Sequence, residues 1–370
     1  MGILTVNGGS TSLKIERYDL APGPLPAIAD PPAPTLALDP SPADAEHALA
    51  EALREPVDAI AHRFVRLPDG APPVLRLDAE SMARIVAVGA DDPLHDASAL
   101  TYVQAALRAA PEAPQFAVSD SAFHRTMPAA ATTYAIPREL TRSGLRRLGY
   151  HGLSHEYAAH RGCKIAGLDV TRARVVTAHL GGGSSLCAVR NGESIDTTMG
   201  YTPLEGLPMA TRSGSVDPGL LLHLLRGGMS VADLEQMLER RSGLLGMSGV
   251  SGDLRELRAT RDNPDAQTAF DVLVWRLRAS LGAMTAVLGG VDLIAFTGGI
   301  GEHSAETRAG ALKGGLGVSA SLDIERNAAM SGTEGRIDAT PSQVPVVVVT
   351  AREGWQLARA VNSLVTRARF

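Results

Sequence analysis

The 370-residue chain has only two cysteines, Cys163 and Cys187. Two thiols can build neither a disulfide framework nor a four-cysteine zinc site. Basic clusters are missing as well. The chain carries 35 Lys and Arg against 40 Asp and Glu, for a net charge of −5, and the two signs are interspersed. That distribution excludes the basic patch that nucleic acid or an anionic membrane surface would need. No apolar run is long enough to span a bilayer: Ala279 to Val291 has 13 residues, too few to cross about 30 Å of hydrocarbon, and it reads as a buried helix. The opening Met-Gly-Ile-Leu-Thr-Val-Asn-Gly-Gly has no basic n-region and reaches Gly8 too early for a secretory signal. These absences predict a soluble cytoplasmic protein. Neither a P-loop ending in Gly-Lys-Ser/Thr nor the spaced G-x-G-x-x-G fingerprint occurs.

With 45% hydrophobic residues, the chain can fill sizeable cores, and its length allows two domains. Ile3 to Val6 reads as a strand, followed by Asn7-Gly8-Gly9-Ser10-Thr11-Ser12 and a second strand through Leu13-Lys14-Ile15-Glu16-Arg17-Tyr18. The unit returns later. Arg174 to Leu180 is a strand, Gly181 to Ser185 a turn, Leu186 to Arg190 a strand, and Asn191-Gly192 a hairpin turn into Glu193 to Thr198. Two copies of one strand-turn-strand unit suggest duplication. Residues 21–44 contain eight prolines, which confines them to an irregular or edge segment. Helical patterns cover residues 44–54, 97–109, 154–166, 219–225, 231–240, 265–288 and 350–367, and strands cover 291–296 and 346–349. The mixture predicts an α/β or α+β protein of two lobes, with the cleft between them as the default ligand site.

Several segments lack regular periodicity and carry chemistry instead. Asp196 to Asp217 is rich in turn formers and holds one arginine, Arg212, among Thr211, Ser213 and Gly214. A guanidinium free to project there suits a carboxylate or phosphate; the plain alternative is a solvated loop. Gly8-Gly9, Gly181-Gly182-Gly183 and Gly298-Gly299-Ile300-Gly301 each follow an apolar strand. Such turns let backbone amides approach an anion, with Ser10, Ser12, Ser184 and Ser185 as further donors. Of ten histidines, His95, His124, His151, His155 and His179 sit in turn-like or glycine-flanked contexts. His151 and His155 fail the zincin spacing, so they read either as core hydrogen-bonding groups or as donors to a phosphoryl group. Asp120, after an apolar strand, is either a cap or a Mg²⁺ ligand or base. Asp253 and Arg255 spell an ion pair, and Thr350 with Glu353 spells a capping box.

Together these segments closely resemble the acetate kinase family of carboxylate kinases. The resemblance runs through Val6 to Lys14, Asp120 to Pro128, Arg146 to Tyr157, Ala178 to Ser184, Asp196 to Pro218, Ser242 to Gly249 and Phe296 to Glu302. Its most specific blocks are Arg-Arg-x-Gly-aromatic-His-Gly-x-Ser-His and Asp-Thr-x-Met-Gly-x-Thr-Pro-Leu-Glu-Gly.

The resemblance implies an α/β fold of two duplicated ribonuclease-H-like lobes of the actin, Hsp70 and sugar kinase type. One lobe is expected at 1–124 with 356–370, and a nucleotide-binding lobe at 125–355. It implies Mg²⁺-ATP-dependent phosphorylation of acetate or a similar short carboxylate, in a homodimer, by positioning and charge stabilisation. By analogy, Arg63 and Arg212 hold the carboxylate and the transferring phosphoryl, His151 donates to that phosphoryl, and His95 and His179 lie nearby. Asn7 and Asp120 organise Mg²⁺. Glu353 joins them if the metal reading, adopted here over the capping box, holds. Ser10, Ser12, Lys14, His179, Gly181, Gly182 and Gly183 line the phosphates. Asp253, Leu254 and Arg255, with Gly299, Ile300, Gly301 and Glu302, surround the adenosine, while Val65, Leu94, Tyr150 and Pro203 wall the acyl pocket. The chain departs from the family at Arg66-Leu67-Pro68, which replaces His-Gly-Gly, and in a shorter run before Pro93-Leu94-His95. Further departures are Gly182 for asparagine, Tyr150 for phenylalanine, Ala210 for glycine and Arg352 for the first of two glutamates. Each matched residue with a direct catalytic role is retained, which favours an active enzyme over a nucleotide-binding regulatory paralogue. The altered pocket leaves propionate or a hydroxylated acid as alternative substrates.

Overall fold

In a strand with both faces covered, apolar residues run without alternation; in one with a wet face they alternate. Both patterns appear at the start of the chain. β1 (Gly2–Gly8) is buried along almost its whole length, whereas β2 (Leu13–Asp19) buries Leu13, Ile15 and Tyr18 and leaves Lys14 and Asp19 exposed. The computed structural model describes residues 1–8, 13–23, 25, 30–89, 93–260, 262–314, 319–340 and 342–369, with the backbone alone at 88–89, 93–97 and 367–369. The chain forms two units, Met1–Ala122 with Arg352–Phe370, and Phe123–Ala351.

In the first unit, β3 (Leu36–Leu38), β4 (Ala59–Phe64), β5 (Val74–Arg76) and β6 (Gln115–Ser119) complete a six-stranded sheet of order β3-β2-β1-β4-β6-β5. β1 is antiparallel to β2 and parallel to β4, β4 is parallel to β6, and β5 adds on antiparallel to β6. Of the proline-rich stretch, the described residues give the three-residue edge strand β3 and a single 3-10 turn, Pro42–Asp44, as prolines that cannot donate to a ladder require. Leu4, Val6, Leu13 and Ile15 pack with Leu49 of the helix Ala45–Ala52 and Tyr102 and Ala106 of the helix Pro93–Ala109. The C-terminal helix Glu353–Arg369 returns to this sheet, with Trp355, Leu357 and Val361 buried and Trp355 tilted against Tyr18 at 5.9 Å.

The second unit repeats the plan. β7 (Arg174–Leu180), β8 (Ser184–Arg190), β9 (Glu193–Thr197), β10 (Leu293–Thr297), β11 (Gly335–Arg336) and β12 (Val346–Val348) form a sheet of order β11-β12-β10-β7-β8-β9. β7, β8 and β9 are an antiparallel meander, β7, β10 and β12 are parallel, and β11 adds on antiparallel to β12. Counted from each unit's first strand, both sheets run 3-2-1-4-6-5, with the fifth strand added antiparallel at the edge. This is the duplicated ribonuclease-H-like α/β fold. Asn191 and Gly192 turn from β8 to β9 with φ of 56° and 81°, the left-handed pair that a two-residue hairpin favours. The helix Pro264–Leu288 covers this sheet with Leu277, Leu281, Met284 and Leu288 against Val176, Leu186, Ile294 and Phe296.

One expectation changes. Gly298 to Gly301 is the first turn of a short helix, Gly298–His303, and not an open glycine turn. Gly298 has φ 77°, and a Cβ there would stand 2.7 Å from the Leu180 carbonyl oxygen, so only glycine lets this helix start against the end of β7. The helix is held from below by Arg308, fully buried, which donates to the carbonyls of Gly301, Glu302, Asn327 and Met330 and to Asn327 Oδ1 at 2.7–2.9 Å. All five donors of the guanidinium are used, and burial draws its pKa down to about 10. The short strands β3, β5 and β11 carry no periodicity long enough to read from sequence, and the helix Ala79–Gly89 lies outside the segments read as helical.

A buried histidine in β4 gives the fold a pH dependence. His62 is 1% exposed, its Nε2 donates to Gln115 Oε1 at 2.7 Å, and burial lowers its pKa to about 4. The unfolded chain binds a proton near pH 6.5 that the folded one refuses, so stability falls as pH drops from 6.5 towards 4. At pH 4.5 the loss is about 2–3 kcal/mol. Urea unfolding of His62→Gln should lose that part of the slope between pH 7 and 4.5; an unchanged slope would show His62 to be charged in the folded state.

Candidate active site

The parallel strands of each sheet end on one side, and their carboxyl ends are where open α/β sheets present ligand-binding groups. In the first unit, Asn7 and Gly8 close β1, Arg63 and Phe64 close β4, and Asp120 follows β6. Asp120 is fully buried, and Arg63 Nη2 donates to its Oδ2 at 2.7 Å while Nη1 donates to the Gly8 carbonyl at 3.1 Å. A carboxylate taken out of water needs such a partner, so the alternative of Asp120 as a simple cap gives way to an ion pair. Asn7 Nδ2 donates to Glu353 Oε2 at 2.6 Å. This corrects the capping-box reading: Glu353 is the first residue of its helix and not the third, and its carboxylate turns to β1. Val65 is buried immediately after β4, and Lys14 is exposed opposite Asn7 on β2. Ser10 and Ser12 lie outside the described residues. Leu94 and His95 lie in the helix Pro93–Ala109, but their side chains are outside the described set.

In the second unit, the Gly181–Gly183 turn joins β7 to β8, and the two residues read from sequence as phosphoryl donors meet over it. A Cβ placed on Gly183 would stand 3.1 Å from His151 Nε2 and 4.0 Å from Arg212 Nη1. His151 precedes the helix Gly152–Ala166 in the left-handed region, at φ 57° and ψ 27°. Such backbone in a residue with a Cβ is uncommon and persists only where surrounding contacts enforce it. Its ring stacks on His179 at 4.3 Å between centroids, and His179 Nδ1 is hydrogen-bonded to Ser154 Oγ at 2.8 Å.

Arg212 departs from the expectation of a freely projecting side chain. It is 8% exposed, and its Nε donates to Glu239 Oε2 at 2.9 Å. The irregular segment around it satisfies its backbone by tertiary contacts. Ala210 N–H donates to the Gly182 carbonyl, Ser213 N–H to Leu238, and the Thr211 hydroxyl to the Glu239 carbonyl, while Ser242 N–H donates to the Thr211 carbonyl and Leu244 N–H to Met209. Arg147 Nη1 gathers the carbonyls of Thr197, Thr198 and Met199 at 2.9–3.1 Å, and its Nη2 reaches Glu205 at 2.8 Å.

Other expected residues have local duties. Ser184 and Ser185 belong to β8 and are buried: Ser184 Oγ bonds to the Gly181 carbonyl, and Ser185 Oγ lies between His151 Nδ1 and His155 Nε2. They are therefore not donors lining the turn. Tyr150 is buried with its hydroxyl donating to the Tyr201 carbonyl, and Pro203 is buried in the same loop. His124, bonded to Ser194 Oγ and the Tyr150 carbonyl, is a core residue. Asp253 caps the helix Leu254–Ala259 and pairs with the exposed Arg255 at 2.6 Å, and Leu254 is buried. Glu302 Oε1 accepts from the Ala351 N–H at 2.9 Å, while at Gly299 a Cβ would meet nothing within 4 Å. Ile300 is partly buried against the sheet core, and Gly301 supplies a carbonyl to Arg308. Sequence reasoning missed Glu239, Arg147, Thr177 and Ser154 as supports; each lies 22 or more positions from a residue it holds, so no local pattern marks it.

Comparison with known proteins matches this geometry to one family. A model described as the Acetokinase family covers residues 43–359. An acetate kinase from Gloeobacter violaceus is 44% identical over 310 residues, 82% of this chain and 76% of the relative. The crystal structure of Porphyromonas gingivalis acetate kinase superposes with a TM-score of 0.84 at 32% identity, covering 98% of this chain and 99% of the other. A propionate kinase from Francisella tularensis subsp. tularensis gives 0.84 at 31% identity, over 97% and 98%. With most of its length matched by the family model and by relatives of this similarity, the chain belongs to the acetokinase family.

Proposed function

We propose that the protein is a kinase that transfers the γ-phosphoryl group of ATP to the carboxylate of acetate, reversibly, giving acetyl phosphate and ADP. The observation that carries this reading is the convergence of His151 Nε2 and Arg212 Nη1 over Gly183. In-line phosphoryl transfer develops charge on the equatorial oxygens and asks chiefly for fixed donors around them. Arg212, oriented by Glu239, supplies a guanidinium fork, and His151 in its imidazolium form, with protons on both ring nitrogens, donates from Nε2. Arg63 serves the acid, with Asp120 holding it in place. The amides around Gly181–Gly183 and the open face at Gly299 suit phosphates and nucleoside, with His179, Asp253, Leu254, Arg255, Ile300 and Glu302 as their surroundings. Val65, Tyr150 and Pro203 are the proposed walls for the acyl group. The titles of relatives name acetate and propionate; acetate is the leading substrate and propionate the second.

The oxygen-bearing side chains of Asn7, Glu353 and Asp120 fit Mg²⁺ as that ion is usually held with a nucleotide, by one or two protein oxygens with phosphates and water completing the shell. Asn7 and Glu353 are already drawn together at 2.6 Å. Bound there, Mg²⁺ would neutralise phosphate charge. A homodimer is the proposed assembly, and the helix Pro218–Arg226, which exposes Leu220 at 48% and Leu222 at 50%, is the first surface to test for it. ATP as co-substrate suits a cytoplasmic location, which cell fractionation would check.

Trapping the acyl phosphate with hydroxylamine, with ATP, Mg²⁺ and C1 to C5 acids, tests the reaction and ranks the substrates; no product with any acid would reject it. In the same assay, Arg212→Ala should lower kcat on the order of 10²–10³-fold with little change in KM for ATP.

Glu353→Gln keeps an oxygen for Asn7 but removes a charge. It should raise the Mg²⁺ concentration needed for half-maximal rate, and an identical titration curve would remove Glu353 from the metal site. Sedimentation at micromolar concentration should give twice the monomer mass, with Leu220→Glu and Leu222→Glu together shifting it towards one.

A further inference from the structure

His151 lies at one end of a chain of buried groups that the phosphoryl-transfer reading does not use. His151 Nδ1 is 2.8 Å from Ser185 Oγ, and Ser185 Oγ is 2.7 Å from His155 Nε2. His155 Nδ1 is 2.7 Å from Thr177 Oγ1, which donates to the Cys187 carbonyl at 3.4 Å. Ser185, His155 and Thr177 are each 0% exposed, so water does not reorder these bonds.

Proton counting along the chain allows two directions. In the first, the single hydrogen of the Thr177 hydroxyl goes to the Cys187 carbonyl, which leaves Thr177 only lone pairs to offer His155. His155 Nδ1 is then the protonated nitrogen. Burial, with the His124 and His179 rings 5.8 and 6.4 Å away, holds its pKa well below the usual imidazole range. The ring is neutral and its Nε2 bears a lone pair. Ser185 must donate its single hydrogen to that lone pair, and its oxygen then accepts from His151 Nδ1. The reverse order would have Thr177 abandon the Cys187 carbonyl and Ser185 donate to His151, a bond that an imidazolium cannot accept. Only the first order serves His151 in both charge states without a hydroxyl reorienting.

We propose that Ser185, His155 and Thr177 form a hydrogen-bond relay that fixes the His151 ring with its proton on Nδ1, so that Nε2 alone exchanges a proton on the side facing Gly183. The three are positioning residues, acting through His151 and touching no substrate. His151 holds this contact from a left-handed backbone, a conformation that persists only where surrounding contacts enforce it. The consequence for turnover rests on the kinase reading above; the tautomer itself does not. Which ring nitrogen of a histidine titrates is set by the bond the other one makes.

The test is ¹⁵N spectroscopy of histidine ring nitrogens in the full-length protein, above the pH at which His151 titrates, with its signals identified by their loss in His151→Asn. The wild type should show His151 protonated at Nδ1. Ser185→Ala and the isosteric Thr177→Val should each move proton population to Nε2, and Ser185→Thr should restore the wild-type pattern. In steady state, Ser185→Ala should lower kcat about 10–100-fold, the usual effect of removing a group that orients a functional one, with KM for ATP and acid largely unchanged. A wild-type His151 protonated at Nε2, or a tautomer indifferent to both Ser185→Ala and Thr177→Val, would overturn the relay. A tautomer that responds while kcat does not would uphold the relay and reject His151 as a group of the reaction.

Discussion

Parallel pairing of the first strand with the fourth constrains everything else in each unit. A parallel neighbour cannot be reached by a hairpin, so the chain must cross over between β1 and β4, and again between β7 and β10. The crossings bring strands that are distant in sequence to finish on one edge. Asn7, Arg63 and Asp120 thereby become neighbours in the first sheet, and His179, Gly181 and Gly298 in the second. Hydrogen-bond geometry in the ladders, and not any affinity among the functional side chains, gathers them.

Having been gathered, these groups are held by partners of their own. Arg63 is fixed by Asp120 and the Gly8 carbonyl, Arg212 by Glu239, and Asn7 by Glu353. Buried charge is tolerated only when it is paired and hydrogen-bonded, so these partners also hold the three side chains in one orientation, as the proposed function requires of them. Preorganised donors need little rearrangement during reaction, which is where most of their effect on a charged transition state arises. Arg308 applies the same rule one layer back: its buried guanidinium meets five acceptors and no carboxylate, and so ties the helix at Gly298 to the segment beneath it.

The departures from the resembled family can be placed physically. The added hydroxyl of Tyr150 is taken by the Tyr201 carbonyl, so it brings no unpaired polar group into the core. Gly182 retains a backbone role, accepting from Ala210 through its carbonyl. Arg352 directly precedes the helix begun by Glu353, whose carboxylate still reaches Asn7.

The sequence by itself determined the strands and helices with long, clear periodicity. Arg174–Leu180 and Val231–Arg240 end where the pattern ends, and Asn191-Gly192 turns as its left-handed preference requires. It also determined the duplication, and the motifs that carry His151 and Arg212, because these are properties of residues close along the chain. Tertiary structure alone decided that Arg212 is buried against Glu239, that Glu353 turns to Asn7 and not to Thr350, and that Ser185 lies between two imidazoles. Each of those outcomes depends on which distant group fills the remaining hydrogen-bonding valence of a buried atom. That choice is made by strand register and helix packing, which act across tens to hundreds of residues and leave no local trace.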